Sequence, residues 1–299
     1  MWPNPERPPS EVLDLARMAD SGGWHCLWYA DHYMPNSGGE DVLPGNVHEC
    51  WAMLPAIAAV TERLRIGSLV APTSVHHPAV LANRASTIDH ISNGRLVLGI
   101  GAGWQINEHH AYDIELEEPA IRVSRFEEAI QVIRSLLDEE VTDFHGDFYD
   151  ITDAPANPKP VQSPLPILVG TGSPRMLRIT ARHADQWNTW GAPGMAGGAL
   201  AKLHTACEQV ERDPSTIWKS AQALVFMTDD ADLATNIKGG DMGERSIIGS
   251  NPQLVDEIGR YAELGFDEVI VPDFTLGATP EARVAKYHEF QAEVAAHFA

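Results

Sequence analysis

Asp31 and His32 stand side by side after the apolar run of residues 24–30. An aspartate accepts ligand hydrogen bonds, and a histidine exchanges a proton near neutral pH, so this pair at a strand end is a candidate for acid/base work. Gly170-Thr171-Gly172-Ser173-Pro174 is a second candidate. It follows an apolar run and opens a helix, whose unpaired N–H groups and positive dipole end can hold a phosphate. Arg175 and Arg178 fall in its first turns, but the lysine of a nucleotide-hydrolysing P-loop is missing. Further polar or glycine-rich clusters are Thr73-Ser74-Val75-His76-His77, residues 101–107 and residues 188–191.

Gly99, Gly101 and Gly103 close a third apolar run, where backbone must approach something closely. The run resembles a dinucleotide fingerprint but fails its test. Trp104 replaces the third glycine, no helix opens at once, and no acidic strand end follows. A flat ring system lying against this strand end fits better, with the Asn107 amide available to ring heteroatoms. His76-His77 and His109-His110 invite a zinc reading, yet neighbours on a strand or helix point apart. No Cys, His and carboxylate set has ligand spacing, so no metal is expected.

The elements that must position these residues alternate between helix and strand. A helix is predicted over 11–21, capped by Ser10, then a strand over 24–30. A helix over 50–62 leads to a strand over 64–71. Pro78 opens a helix whose stripe is Val80, Leu81, Ala85, Ile88 and Ile91, and Asn93-Gly94 stops it. Leu96, Val97, Leu98 and Ile100 are apolar on both faces, as in a strand covered on both sides. A helix over 122–138, a hairpin over 141–151 and a Pro-rich link precede a strand over 167–170. Later strands are predicted at 185–190, 220–227 and 268–272, and later helices at 174–183, 197–212, 252–264 and 280–298. Repeated units of this length imply α/β architecture, a (β/α)8 barrel, with a doubly wound open sheet as the alternative. Chemistry on such a barrel belongs at the C-terminal strand ends, where these clusters fall. Before residue 11 there is no convincing first strand.

The chain has 299 residues, 44% of them hydrophobic, enough for a large core in one barrel domain. Its net charge of −21 excludes nucleic acid and anionic membrane as partners. Three cysteines at scattered positions imply reduced thiols, the N-terminus has no secretory pattern, and no apolar run is long enough to span a membrane. A cytoplasmic protein is expected.

Trp28-Tyr29-Ala30-Asp31-His32, residues 78–107 with their Gly-Ala-Gly-Trp-Gln-Ile-Asn ending, residues 166–185, and Ile247-Ile248-Gly249-Ser250-Asn251-Pro252 together resemble the bacterial luciferase-like monooxygenase superfamily. Within it the chain looks like the branch that uses the deazaflavin coenzyme F420. The resemblance implies one TIM-barrel domain over 1–299, with insertions after strands 4 and 7 and a weak or truncated first strand. It implies hydride transfer between the deazaflavin C5 and a small organic substrate, with His32 as proton donor or acceptor. Cofactor contacts carried over by position are Asp31, Ser68, Leu69, Asn107, Gly172 and Ser173, and the helix-start reading adds Gly170, Thr171 and Arg175. Ser68-Leu69 matches a non-proline cis peptide that bulges against the ring. FMN is the alternative cofactor, in a two-component monooxygenase, and a non-catalytic flavin-binding protein is a third reading. A homodimer is expected from the same resemblance. In the branch's sugar-phosphate dehydrogenases a glutamate stands where this chain has Trp104, and an aromatic wall is missing beside Asn36, which argues against sugar-phosphate oxidation.

Overall fold

The computed structural model describes residues 1–298. Two compact units are distinguished: residues 5–170 with 183–185, and residues 1–4, 171–182 and those described from 186 onward.

The first unit begins with α1 (Pro9–Gly22), β1 (Cys26–Tyr29), α2 (Cys50–Ala59) and β2 (Arg65–Ser68). It continues with β3 (Ala71–Pro72), α3 (Pro78–Ser92), β4 (Leu96–Gly101), α4 (Ile106–Ala111) and α5 (Pro119–Asp138). The hairpin β5 (Thr142–His145) and β6 (Asp150–Ala154), then β7 (Ile167–Gly170), complete it. Its sheet is parallel in the order β1-β2-β4-β7, with β3 also on β4. All six residues of β4 are buried, as its unbroken apolar run requires. α3 packs on α5 and α2 on α3.

Two sequence expectations are corrected here. The buried face of α3 is Leu81, Ala82, Ala85, Ser86, Ile88, Asp89 and Ser92, whereas Val80 and Ile91 are exposed. Asp89 displaces them because its carboxylate accepts from the backbone N–H and the side-chain amide of Gln162, at 2.9 and 2.7 Å. A buried carboxylate with two donors is stable where a bare one is not. The strand expected over 64–71 is split into β2 and β3 by a cis peptide at Leu69–Val70. That bond is one residue beyond Ser68-Leu69, because β2 keeps its ladder to the end: Tyr29 pairs with Ser68, and the Leu69 N–H still donates to Tyr29 O at 2.8 Å.

The second unit contains α6 (Pro174–His183, its residues to Arg182), β8 (Gln186–Trp190), α7 (Pro193–Gln209), β9 (Trp218–Gln222) and β10 (Leu224–Met227). After these come α8 (Ala231–Gly239), β11 (Ser246–Gly249), α9 (Asn251–Leu264), β12 (Glu268–Ile270) and α10 (Pro280–Glu293). Strands β8, β9 and β12 form one parallel set, and β10 pairs in parallel with β11. Trp2 makes a single parallel bridge to Pro272, and its indole packs on Trp190 and Phe274.

Candidate active site

Beyond the end of β1, the Asp31 carboxylate is fully buried. Its Oδ2 accepts from the Trp51 indole at 2.8 Å and from His76 Nε2 at 2.7 Å. Arg84 approaches His76 Nδ1 at 3.3 Å, and a guanidinium only donates, so the His76 hydrogen sits on Nε2 and points at Asp31. Asp31 Oδ1 is buried with no partner.

His32 takes a different carboxylate. Its Nδ1 lies 2.9 Å from Glu108 Oε1, while Glu108 Oε2 accepts the Tyr33 N–H at 2.8 Å. Glu108 is 1% exposed and the His32 side chain 22% exposed, so the pair is anchored inside and open on one side. Trp104, itself 56% exposed, meets the His32 ring edge-on at 5.6 Å. The surroundings are largely buried and negative. Burial raises the Tyr33 hydroxyl pKa well above its ordinary value, and the charges of Asp31, Glu49 and Glu108 add to that. The Cys50 thiol, donating to Tyr29 O, is raised by burial and by Asp31 and Glu49.

α4 carries the residues that hold this arrangement. Asn107 donates to Pro35 O at 2.8 Å and to Asp41 O at 3.3 Å, and its own oxygen accepts the Glu108 N–H. Just before α4, Gln105 donates to Met34 O at 2.9 Å. Asn107 was expected to offer its amide to a cofactor ring. The structure turns that amide to the loop of residues 35–41 instead, because two backbone carbonyls would otherwise lose their donors. Glu108 and Trp51 were not singled out from the sequence, and His76 and Gln105 were named only within their clusters, without these partners. The Asn107-Glu108 step after the glycine turn was the available signal for Glu108.

The glycine strand end also differs from expectation. A Cβ on Gly99 would collide with the Ser68 carbonyl, and one on Gly101 would lie 2.8 Å from Val70 Cγ2. One on Gly170 would lie 3.1 Å from Val70 Cγ1. These glycines make room for the Ser68 carbonyl and the Val70 side chain, so a ring could meet Val70 but not the bare glycines. The Ser68 hydroxyl donates to Gly99 O at 2.8 Å and accepts the Gly99 N–H at 3.1 Å, which engages it within the sheet.

In the second unit, the Thr171 N–H donates to Asn188 O at 3.2 Å, and the Trp187 indole donates to Thr171 O at 2.9 Å. These bonds anchor the loop just before α6. Gly172 and Ser173 are exposed, Arg175 is half-buried, and a Cβ on Gly172 would meet open space. Among the described residues no helix is long and apolar enough to cross a membrane, and no group of three or more His, Cys, Asp and Glu could hold a metal ion.

With this geometry in hand, comparison with known proteins identifies the family. Residues 1–238 match luciferase-like monooxygenases, and the chain belongs to that family. An F420-dependent glucose-6-phosphate dehydrogenase of Amycolatopsis mediterranei is 33% identical over 235 residues, 77% of this chain and 65% of that protein. The chain thus spans just under two thirds of that relative's length. A protein of the same name from Microbacterium testaceum is 34% identical over 305 residues, 89% of this chain and 88% of the relative. The coenzyme F420-dependent tetrahydromethanopterin reductase of Methanopyrus kandleri shares the fold with a TM-score of 0.82 at 18% identity, covering 100% of this chain and 98% of that one.

Proposed function

We propose that this chain is an oxidoreductase that uses coenzyme F420 to move a hydride to or from a small organic substrate, with His32 exchanging the accompanying proton. The observation that carries the reading is the His32–Glu108 pair at 2.9 Å. A carboxylate only accepts, so His32 Nδ1 donates and Nε2 is left for acid/base work on the open side. Glu108 is itself held by the Tyr33 N–H, so the imidazole need not reorient before a proton moves. The names of the relatives support the cofactor.

When bound, F420 supplies or accepts the hydride at C5 of its ring. The residues present fit such a group. Asp31 Oδ1 is a buried acceptor without a partner, suited to a ligand N–H or O–H. Leu69 and the Val70 side chain, the latter packed against Gly99, Gly101 and Gly170, would face the ring. In the second unit, taken by itself, Thr171, Gly172 and Ser173, with the start of α6 and Arg175, would suit a phosphate through backbone donors and one cation. Ser68, Asn107 and Gly170 would act by shaping the backbone around the ring. Trp104 offers an indole where proton transfer to a sugar phosphate would need a carboxylate, so the substrate is not a sugar phosphate.

Titration of tryptophan fluorescence with F420 and with FMN separately tests the cofactor. Saturable quenching by F420 at lower concentration than by FMN is expected, because Trp104 stands beside His32. Equal binding, or tighter binding of FMN, overturns the assignment in favour of an FMN-dependent monooxygenase. His32→Ala is expected to lower turnover by at least about tenfold with F420 binding retained. Near wild-type turnover would remove His32 from the reaction.

A further inference from the structure

A second proton-transfer pair joins the loop after β3 to α4, next to the His32 network. Ser74 Oγ is 2.9 Å from His109 Nε2, and His109 Nδ1 is 2.7 Å from Gln105 O. A carbonyl oxygen only accepts, so the ring hydrogen sits on Nδ1 and the lone pair on Nε2. The Ser74 hydroxyl therefore donates to a nitrogen whose tautomer the backbone has already set. His109 is 2% exposed, which holds the ring in that orientation. Gly103 is part of the same construction. Its φ is +91°, and a Cβ there would overlap Ser74 Oγ.

The hydroxyl is also reachable. Ser74 and Thr73 line a cleft of about 280 Å³, and His109 lines another of about 650 Å³. Glu115 and Glu117 border both, so the serine–histidine bond lies where the two adjoin. Two donors beside it are uncommitted. Thr73 Oγ1 is buried with no partner. The backbone N–H groups of Thr73, Val75 and His76 are all engaged, whereas that of Ser74 has no acceptor among the described residues.

We propose that Ser74 and His109 form a nucleophile–base pair that cleaves small, uncharged, activated esters. Nucleophile, base and a third group orienting the base define this chemistry on unrelated folds, and here the orienting group is a backbone carbonyl. Ser74 Oγ attacks the ester carbonyl as its proton passes to His109 Nε2. The Ser74 N–H and the Thr73 hydroxyl face the oxyanion. His109 returns the proton to the departing alkoxide, leaving an acyl-serine and an alcohol. Water, deprotonated by His109, then releases the carboxylic acid and restores Ser74. Glu117 on the cleft wall is paired with the Arg125 guanidinium at 2.6 and 2.7 Å, and the remaining carboxylate of Glu115 disfavours anionic esters.

The full chain without added cofactor is incubated with 4-nitrophenyl acetate and, separately, with a fluorophosphonate probe followed by peptide mapping. The probe is expected to modify Ser74. Ester hydrolysis is expected to fall to the solvent background in Ser74→Ala and by about a hundredfold in His109→Gln, within the range of a general base. Ser74→Ala, a small change at a half-buried position, decides alone if His109→Gln fails to fold. An unmodified Ser74, or hydrolysis persisting in folded Ser74→Ala, overturns the proposal.

Discussion

The Asp31–His32 region and the Thr171–Arg175 region both follow the C-terminal ends of parallel strands, yet they are built on opposite plans. Around Asp31 and His32, Gln105, Asn107 and Glu108 are at most 1% exposed and hydrogen-bonded through their side chains, with Asp31 Oδ1 and the Tyr29 hydroxyl left unpartnered among the described residues. Around Thr171 the chain is anchored at its base by two bonds, while Gly172 and Ser173 stand in solvent. The contrast follows from what each is asked to do. A proton-transfer group needs one ring orientation in a dry setting, and that takes a supporting network. Backbone donors at a helix start need only the path of the chain.

The sharpest way to test the closed plan is Gly99→Ala. Its Cβ would strike the Ser68 carbonyl, so a loss of about 3 kcal/mol in urea denaturation is expected, the upper end for overpacking. A neutral result would mean the backbone there yields easily. Next comes Glu108→Gln, which leaves the His32 and Tyr33 donors one uncharged oxygen between them. It should cost about 2 kcal/mol, as for hydrogen bonds to a charged group, and lower turnover while F420 binding is kept. Loss of stability alone, with turnover intact, would reduce Glu108 to a structural role.

Alkaline titration probes the same dry region. The Cys50 and Tyr33 pKa values are raised in the fold by burial. The unfolded chain releases these protons near pH 8.5 and 10, while the folded chain keeps them. Stability should therefore be intact below about pH 8 and fall as pH rises further, with tyrosine absorbance changing only on unfolding for Tyr33. Ionisation of every tyrosine near its ordinary value in the folded protein would contradict a dry site. The smallest effect belongs to the open region. Gly172→Ala should change stability by less than about 0.5 kcal/mol, since nothing lies within 4 Å of the added Cβ.

Much of this was legible in the chain. Residues 78–101 give α3 and β4 because a proline start, an Asn-Gly stop and a both-faces apolar strand are local signals. Asn93 itself adopts the left-handed cap at φ +55°. The hairpin expected over 141–151, found over 142–154, and the start of α6 were equally local. What was not legible depends on distant partners. Gln162 decides that α3 buries Asp89 in preference to Val80 and Ile91. Helices α4 and α8 and strand β11 are short and lack a clear period. The run over 220–227 reads as one strand but divides at Ala223 into β9 and β10. Asp31 and His32 were visible as a pair, yet their use of separate carrier networks, His76 with Trp51 and Glu108, rests on contacts 20 to 76 residues apart in sequence.

Gln105 and Asn107 hold the loop of residues 34–41 by its main-chain carbonyls, at Met34, Pro35 and Asp41. A grip on the main chain is indifferent to side-chain identity. Asn36 and Ser37 also bond Gly38 and Gly39 within the loop through their side chains, whereas Glu40 can be exchanged while the main-chain grip stays, so selection or a mutant library can retune that position without rebuilding the part that fixes His32.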